Sequence, residues 1–94
     1  MTDETLRLTA RITGVVQGVG FRYWTARKAD ELLLTGTVRN SADGSVQLVA
    51  EGLEQDIEVM LGWLKSARAP GRVDLVDHEL SKATGEFDDF RIVG

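Results

Sequence analysis

Gly14-Val15-Val16-Gln17-Gly18-Val19-Gly20-Phe21-Arg22 lies between a segment of alternating apolar and polar residues and a segment of helical period. It therefore marks a strand, a glycine-rich turn and a helix start. Three glycines within seven positions allow positive φ and close approach of the backbone to a bound group. The helix that follows aims its unpaired N–H groups back into the turn, an arrangement that attracts anions.

The charges of that helix run against its dipole. Arg22, Arg27 and Lys28 occupy its first half and Asp30 and Glu31 its second. Cations favour a helix C-terminus and anions an N-terminus by ~0.3–1 kcal/mol each. With no acid in the first two turns to neutralise Arg22, a negatively charged ligand is the simplest compensation. A guanidinium that merely points into water is the alternative.

Upstream, Leu6, Leu8, Ala10 and Ile12 alternate with Arg7, Thr9, Arg11 and Thr13, which predicts a strand with one buried face. Downstream, Phe21, Trp24, Ala29 and Leu32 form one helical stripe, so Phe21 and Trp24 read as core rather than as ligand-stacking groups. Gly36 precedes Thr37–Asn40, and Asp43-Gly44 separates it from Ser45–Glu51, predicting a hairpin with Asn40 at the end of its first arm. Glu54 to Lys65 is a second helix with acids in its first turn and Ile57, Leu61 and Leu64 inward. After the Pro70-Gly71 break comes a strand from about Arg72 to Leu80, where Val73 and Leu75 share a face and Val76 falls on the other, which leaves its register open. Phe90 and Ile92 predict a short strand at a sheet edge.

Strand, helix, strand, strand, helix, strand, with right-handed crossovers, gives an α+β fold: a ferredoxin-like βαββαβ sandwich, an antiparallel sheet with two helices on one face. Arg7, Thr9, Arg11 and Thr13 would line the other face. Residues 1–94 are long enough for one domain and too short for two.

The absence of cysteine excludes disulfides, thiol catalysis and thiolate metal sites, and a single histidine, His78, excludes a histidine-built metal cluster. His78 reads as structural or solvent-facing. A net charge of −4 argues against a general nucleic-acid surface, so any cationic site is local. No stretch has the apolar length of a membrane span, and the acidic start Met1-Thr2-Asp3-Glu4-Thr5 does not read as a signal peptide. These features suggest the cytoplasm.

Two better-known phosphate loops fail the comparison. A dinucleotide fingerprint needs a third glycine where Tyr23 stands, and a Walker loop needs Gly-Lys-Ser/Thr where the chain has Gly20-Phe21-Arg22. The loop closes instead on arginine, whose planar fork can hold two oxygens of one phosphate.

Gly14-x-Val16-Gln17-Gly18-Val19-Gly20-Phe21-Arg22, then Val38-Arg39-Asn40 and Asp43-Gly44-x-Val46, closely resembles the acylphosphatases. Trp63-Leu64 and Phe87-x-x-Phe90-x-Ile92 extend the likeness over nearly the whole chain. The resemblance implies metal-free hydrolysis of carboxyl-phosphate bonds without a cofactor, the phosphate-binding arginine falling on Arg22 and the water-positioning asparagine on Asn40. The amides of Gln17, Gly18, Val19, Gly20 and Phe21 would bind substrate beside Arg22. By position alone, Asn40 could equally be a turn former. Small-molecule acyl phosphates as substrates, inorganic phosphate as product and a monomeric chain with no nucleic-acid or membrane partner complete the expectation. A non-catalytic anion-binding or regulatory domain of the same fold is the rival reading.

One departure stands out: Leu32-Leu33-Leu34-Thr35-Gly36 replaces the family's usual Leu-Gly-Leu-Thr-Gly. A left-handed residue at Leu33 would carry ~1 kcal/mol of strain that glycine avoids. Nothing in the sequence selects the acyl part of the substrate.

Overall fold

The computed structural model describes residues 4–66 and 68–94, so Met1–Asp3 of the acidic N-terminal stretch lie outside the described residues. The elements are β1 (Thr5–Val15), α1 (Phe21–Glu31), β2 (Thr35–Asn40), β3 (Val46–Leu53), α2 (Glu54–Leu64), β4 (Arg72–Lys82) and β5 (Phe90–Ile92). They form a five-stranded sheet of order β4-β1-β3-β2-β5. β1 runs antiparallel to both β3 and β4, and β2 antiparallel to β3. β1 and β2 thus lie parallel with β3 between them, and β3 and β4 parallel with β1 between them, which is the split βαβ arrangement. β5 joins β2 in parallel, so the sheet is mixed at that edge.

The period-two pattern of β1 acts as expected. Leu8, Ala10 and Ile12 are buried with Val38, Val46, Leu48 and Ala50 from the neighbouring strands, and Ile57, Met60 and Leu64 of α2 close over them. In α1 the buried residues are Phe21, Thr25 and Ala29, not the expected stripe through Trp24, which remains 49% exposed. Three positions on from Phe21 is about 60° to one side of it, and Thr25 falls nearer the middle of the face. Trp24 rests edge-on against Tyr23, with ring centroids 5.3 Å apart, while Phe21 packs at 6.3 Å from Trp63.

In β4, the expected pairing of Val73 with Leu75 on one face gives way to Val73 and Val76, both packed on the core while Leu75 is exposed. The cause is a bulge: Leu75 pairs with Thr13 and Val73 with Gly14, leaving Asp74 without a partner and shifting the alternation by one.

α1 ends in a Schellman arrangement, Leu33 N–H donating to the Asp30 carbonyl at 3.1 Å and Leu34 N–H to the Ala29 carbonyl at 2.9 Å. Leu33 sits at φ 58 and is 86% exposed, the left-handed position that the departure at this residue anticipated. Its side chain gains nothing in return for the strain, whereas Leu34 beside it is buried.

Candidate active site

The glycine-rich loop crosses from the end of β1 to the start of α1 with Gly18 at φ 74 and Gly20 at φ 79. Gly20 is the N-cap in left-handed conformation, no side chain caps the helix, and no acid lies in the first turn. The first helical hydrogen bond runs from Trp24 N–H to the Gly20 carbonyl, so the amides of Phe21, Arg22 and Tyr23 precede the intrahelical ladder. Left-handed residues in such a loop turn successive N–H groups to one side, forming a concavity suited to an anion.

Those residues line a cleft of about 180 Å³ with Gly18, Gly20, Phe21 and Arg22 on one wall and Asn40 on the other. Asn40 ends β2 opposite Val46 and shares the helix-facing side of the sheet with buried Val38, because alternate residues of a strand point the same way. Its Oδ1 is buried and has no hydrogen-bond partner among the described residues. Burying an amide oxygen unpaired costs ~1–3 kcal/mol, which a bound water proton would recover. Arg22 is half-buried and forms no salt bridge among the described residues, so its fork is not committed to a carboxylate of the chain.

Gly18, Gly20 and Phe21 border the cleft, whereas Val19 and Gln17 are not among its lining residues. The Gln17 side chain donates to the carbonyls of Ser41 and Ser45, each at 2.8 Å, and so ties the loop to the β2–β3 hairpin. That brace fixes the distance between the loop and Asn40, a role the sequence did not reveal because its acceptors are backbone atoms over twenty residues away. Sequence reading also missed Tyr23 and Ile92, which complete the cleft with Val16. Tyr23 could have been suspected from its place next to Arg22; Ile92 arrives only because β5 docks beside β2.

The other arginines near the hairpin are engaged elsewhere. Arg11 donates to Asp43 at 2.6 Å and Arg39 to Gln47 at 3.1 Å. The Arg11 guanidinium, helped by the hydroxyl and amide of Ser45, holds the Asp43 carboxyl far below its ordinary range, so Asp43 serves the turn as an acceptor. His78 is exposed on β4. Among the described residues no group of three or more His, Cys, Asp or Glu is placed to hold a metal ion, and no helix is long and apolar enough to cross a membrane. A larger groove of about 630 Å³ lies against α1 and α2, but its charged lining sets Arg27 and Lys28 against Asp30 and Glu31, so it has no net cationic cradle.

The family model for acylphosphatase matches residues 8–92. The chain is 78% identical to an acylphosphatase of Paenarthrobacter aurescens (strain TC1) over 93 residues, covering 99% of each, and 57% identical to one of Arthrobacter sp. (strain FB24) over 96% of this chain and 83% of that one. Among solved structures it resembles the acylphosphatase of Bacillus subtilis, with TM-score 0.87, 32% identity and coverage of 95% of this chain and 99% of that chain. A Coxiella burnetii acylphosphatase superposes with TM-score 0.86 at 35% identity, over 96% of this chain and 94% of that one.

Proposed function

The chain belongs to the acylphosphatase family and hydrolyses acyl phosphates, and from that premise we propose that Arg22 and the loop amides, those of Gly18, Gly20 and Phe21 bordering the cleft, grip the phosphoryl group while Asn40 places the attacking water. Arg22 presents two donors to two phosphate oxygens, and the amides take the remaining charge. Asn40 Oδ1 accepts a hydrogen bond from the water and holds its oxygen in line with phosphorus. The P–O bond to the acyl group breaks as the water oxygen bonds to phosphorus, and the carboxylate leaves with the electron pair. The water's proton passes to a phosphate oxygen of the substrate itself.

Neither Arg22 nor Asn40 is an acid or base near neutrality. An alkoxide leaving group asks for a proton or a metal, whereas a carboxylate departs without either. The pair therefore suits acyl phosphates, with no metal or cofactor required, and does not suit phosphomonoesters. The observation that carries this reading is a single cleft joining Arg22, two left-handed glycines and an unpartnered buried Asn40 oxygen. We read residues 1–94 as one domain, acting as a monomer in the cytoplasm without a nucleic-acid partner, on the support of the acidic balance and the lack of cysteine.

Hydrolysis of benzoyl phosphate, followed by absorbance in excess EDTA, tests the proposal. Full activity is expected there, with p-nitrophenyl phosphate left intact. A requirement for added metal would overturn the mechanism.

A further inference from the structure

The two walls of the cleft come from different parts of the chain. Gly18, Gly20, Phe21 and Arg22 belong to the loop and the start of α1, whereas Asn40 ends β2. In the reaction proposed above, one wall holds phosphorus and the other holds the water oxygen in line with it, and a misplacement of about 1 Å can cost roughly 10²-fold in rate. Asn40 occupies the last rung of the β2–β3 ladder, opposite Val46, with the turn beyond it. Its Oδ1 has no partner among the described residues, so the backbone at that rung, and not a hydrogen bond to that oxygen, sets its place.

The Gln17 side chain reaches that backbone. A carboxamide nitrogen has two hydrogens, and both are committed, to the Ser41 and Ser45 carbonyls at 2.8 Å each. The same two carbonyls close the turn: Ser41 N–H donates to Ser45 at 2.8 Å and Gly44 N–H to Ser41 at 3.1 Å. Gln17 therefore straddles the neck of the hairpin, one residue from Asn40. The loop has a separate seat on its other side. A Cβ added at Gly71 would collide with the Val15 carbonyl oxygen and fall 2.9 Å from Val19 Cγ2, so the loop packs closely on the segment leading into β4. The turn has less to hold it. Ala42, Asp43 and Gly44 are exposed, and the Arg11–Asp43 ion pair lies in solvent, where such pairs contribute little. Without the Gln17 strap, the hairpin end that carries Asn40 is freed more than the loop is.

We propose that the Gln17 side chain is a positioning residue for hydrolysis: by tying the loop to the Ser41 and Ser45 carbonyls it fixes Asn40, and the water that Asn40 holds, relative to the phosphoryl group. The inference rests on the roles assigned above to Arg22 and Asn40. Gln17 acts through Asn40 and leaves the phosphate grip to Arg22 and the loop amides, so its loss lowers kcat and spares phosphate binding.

The test measures kcat for benzoyl phosphate and the inhibition constant of inorganic phosphate in the full chain, in Gln17→Met and Gln17→Asn, and in each combined with Asn40→Ala, with folding checked by circular dichroism. Methionine matches the length of glutamine and brings neither donor nor charge. Asparagine keeps the amide but is one methylene shorter than the observed span, and serves where the methionine variant does not fold. In each, kcat is expected to fall about tenfold or more while phosphate inhibition changes less than about twofold. Beside Asn40→Ala the same substitutions should change kcat less than about twofold, because the group they position is gone. Near-native kcat in the folded variants, a parallel weakening of phosphate inhibition, or an undiminished loss beside Asn40→Ala would each overturn the proposal. Asn40→Ala alone tests the underlying reading: if it keeps the wild-type kcat, the water-positioning role fails and the brace with it. If it loses kcat and the Gln17 losses simply add, the brace alone fails.

Discussion

Two cradles for a negative charge sit on opposite faces of the sheet, and they are built from the same parts. Glu51 of β3 is 4% exposed; its carboxylate accepts from the backbone N–H groups of Thr84 and Gly85, each at 3.0 Å, and from Arg7 Nε at 2.7 Å. The Thr84 hydroxyl adds a donor at 3.0 Å, Arg7 also pairs with Glu86, and its guanidinium lies 5.3 Å from the Phe87 ring centre. The cleft at α1 likewise offers amides and a guanidinium, Arg22, but holds no carboxylate of the chain among the described residues. Glu51 lies five positions along β3 from Val46, the partner of Asn40, a distance of roughly 17 Å along the strand. Where the protein supplies its own anion, the cradle staples the segment after β4 across the sheet. Where it withholds one, the cradle is left to the phosphoryl group that we propose it binds.

The helices carry the same contrast. α2 has Glu54 and Asp56 in its first turn, which neutralise its dipole, while α1 has no acid there. An anion bound at the start of α1 would recover the stability that the helix forgoes.

Emptying the α1 cradle should have the largest effect. Arg22→Ala is expected to remove phosphate inhibition and to lower turnover about 10³-fold or more, whereas Asn40→Ala should lower kcat by about 10²–10³ while phosphate still competes. Steady-state assays with phosphate as inhibitor separate the two; near-native rates in both folded variants would end the assignment.

Emptying the Glu51 cradle should cost stability and leave the chemistry alone. Burial pushes the Glu51 carboxyl up, but donation from Thr84, Arg7 and Gly85 prevails and brings it from 4.5 down to about 2. A carboxyl with a folded pKa below its unfolded one stabilises the protein fully above about pH 4.5, and the contribution is lost as pH falls towards 2. Glu51→Gln should therefore lower stability near neutrality by on the order of 2–3 kcal/mol, with the gap to wild type closing in acid. Urea melts across that range measure it, and a gap independent of pH would show that Glu51 is not the charge being held.

Leu33→Gly relieves strain at the C-terminal end of α1, the opposite end of the helix from Arg22, and should raise stability by up to ~1 kcal/mol with kcat/KM unchanged. Destabilisation in a thermal melt would mean that Leu33 contributes more than its exposure indicates. The smallest change expected is from Glu54→Gln: a loss of ~0.3–1 kcal/mol that shrinks in high salt, the mirror of what α1 tolerates.

Much of this was legible along the chain because it depends on local spacing. The alternation from Leu6 to Ile12, the turn at Asp43-Gly44, the acid-first α2 and the loop ending in Arg22 each follow from backbone periodicity, turn chemistry or dipole preference within a few residues. Leu33 could be singled out for the same reason, since the handedness of a helix C-terminus is a local matter. Trp24 was misjudged because spacing alone cannot tell the centre of an apolar stripe from its edge.

Sequence by itself determined the element order and singled out Arg22 and Asn40 as the candidate phosphate-binding arginine and water-positioning asparagine. Only the tertiary structure decided that Gln17 braces the loop against the hairpin, that a bulge at Asp74 puts Val73 and Val76 on one face, that Ile92 reaches the cleft and that Glu51 is enclosed by Arg7, Thr84 and Gly85. Each of these joins groups distant in the chain or depends on strand register, and neither distance nor register is written in the order of neighbouring residues.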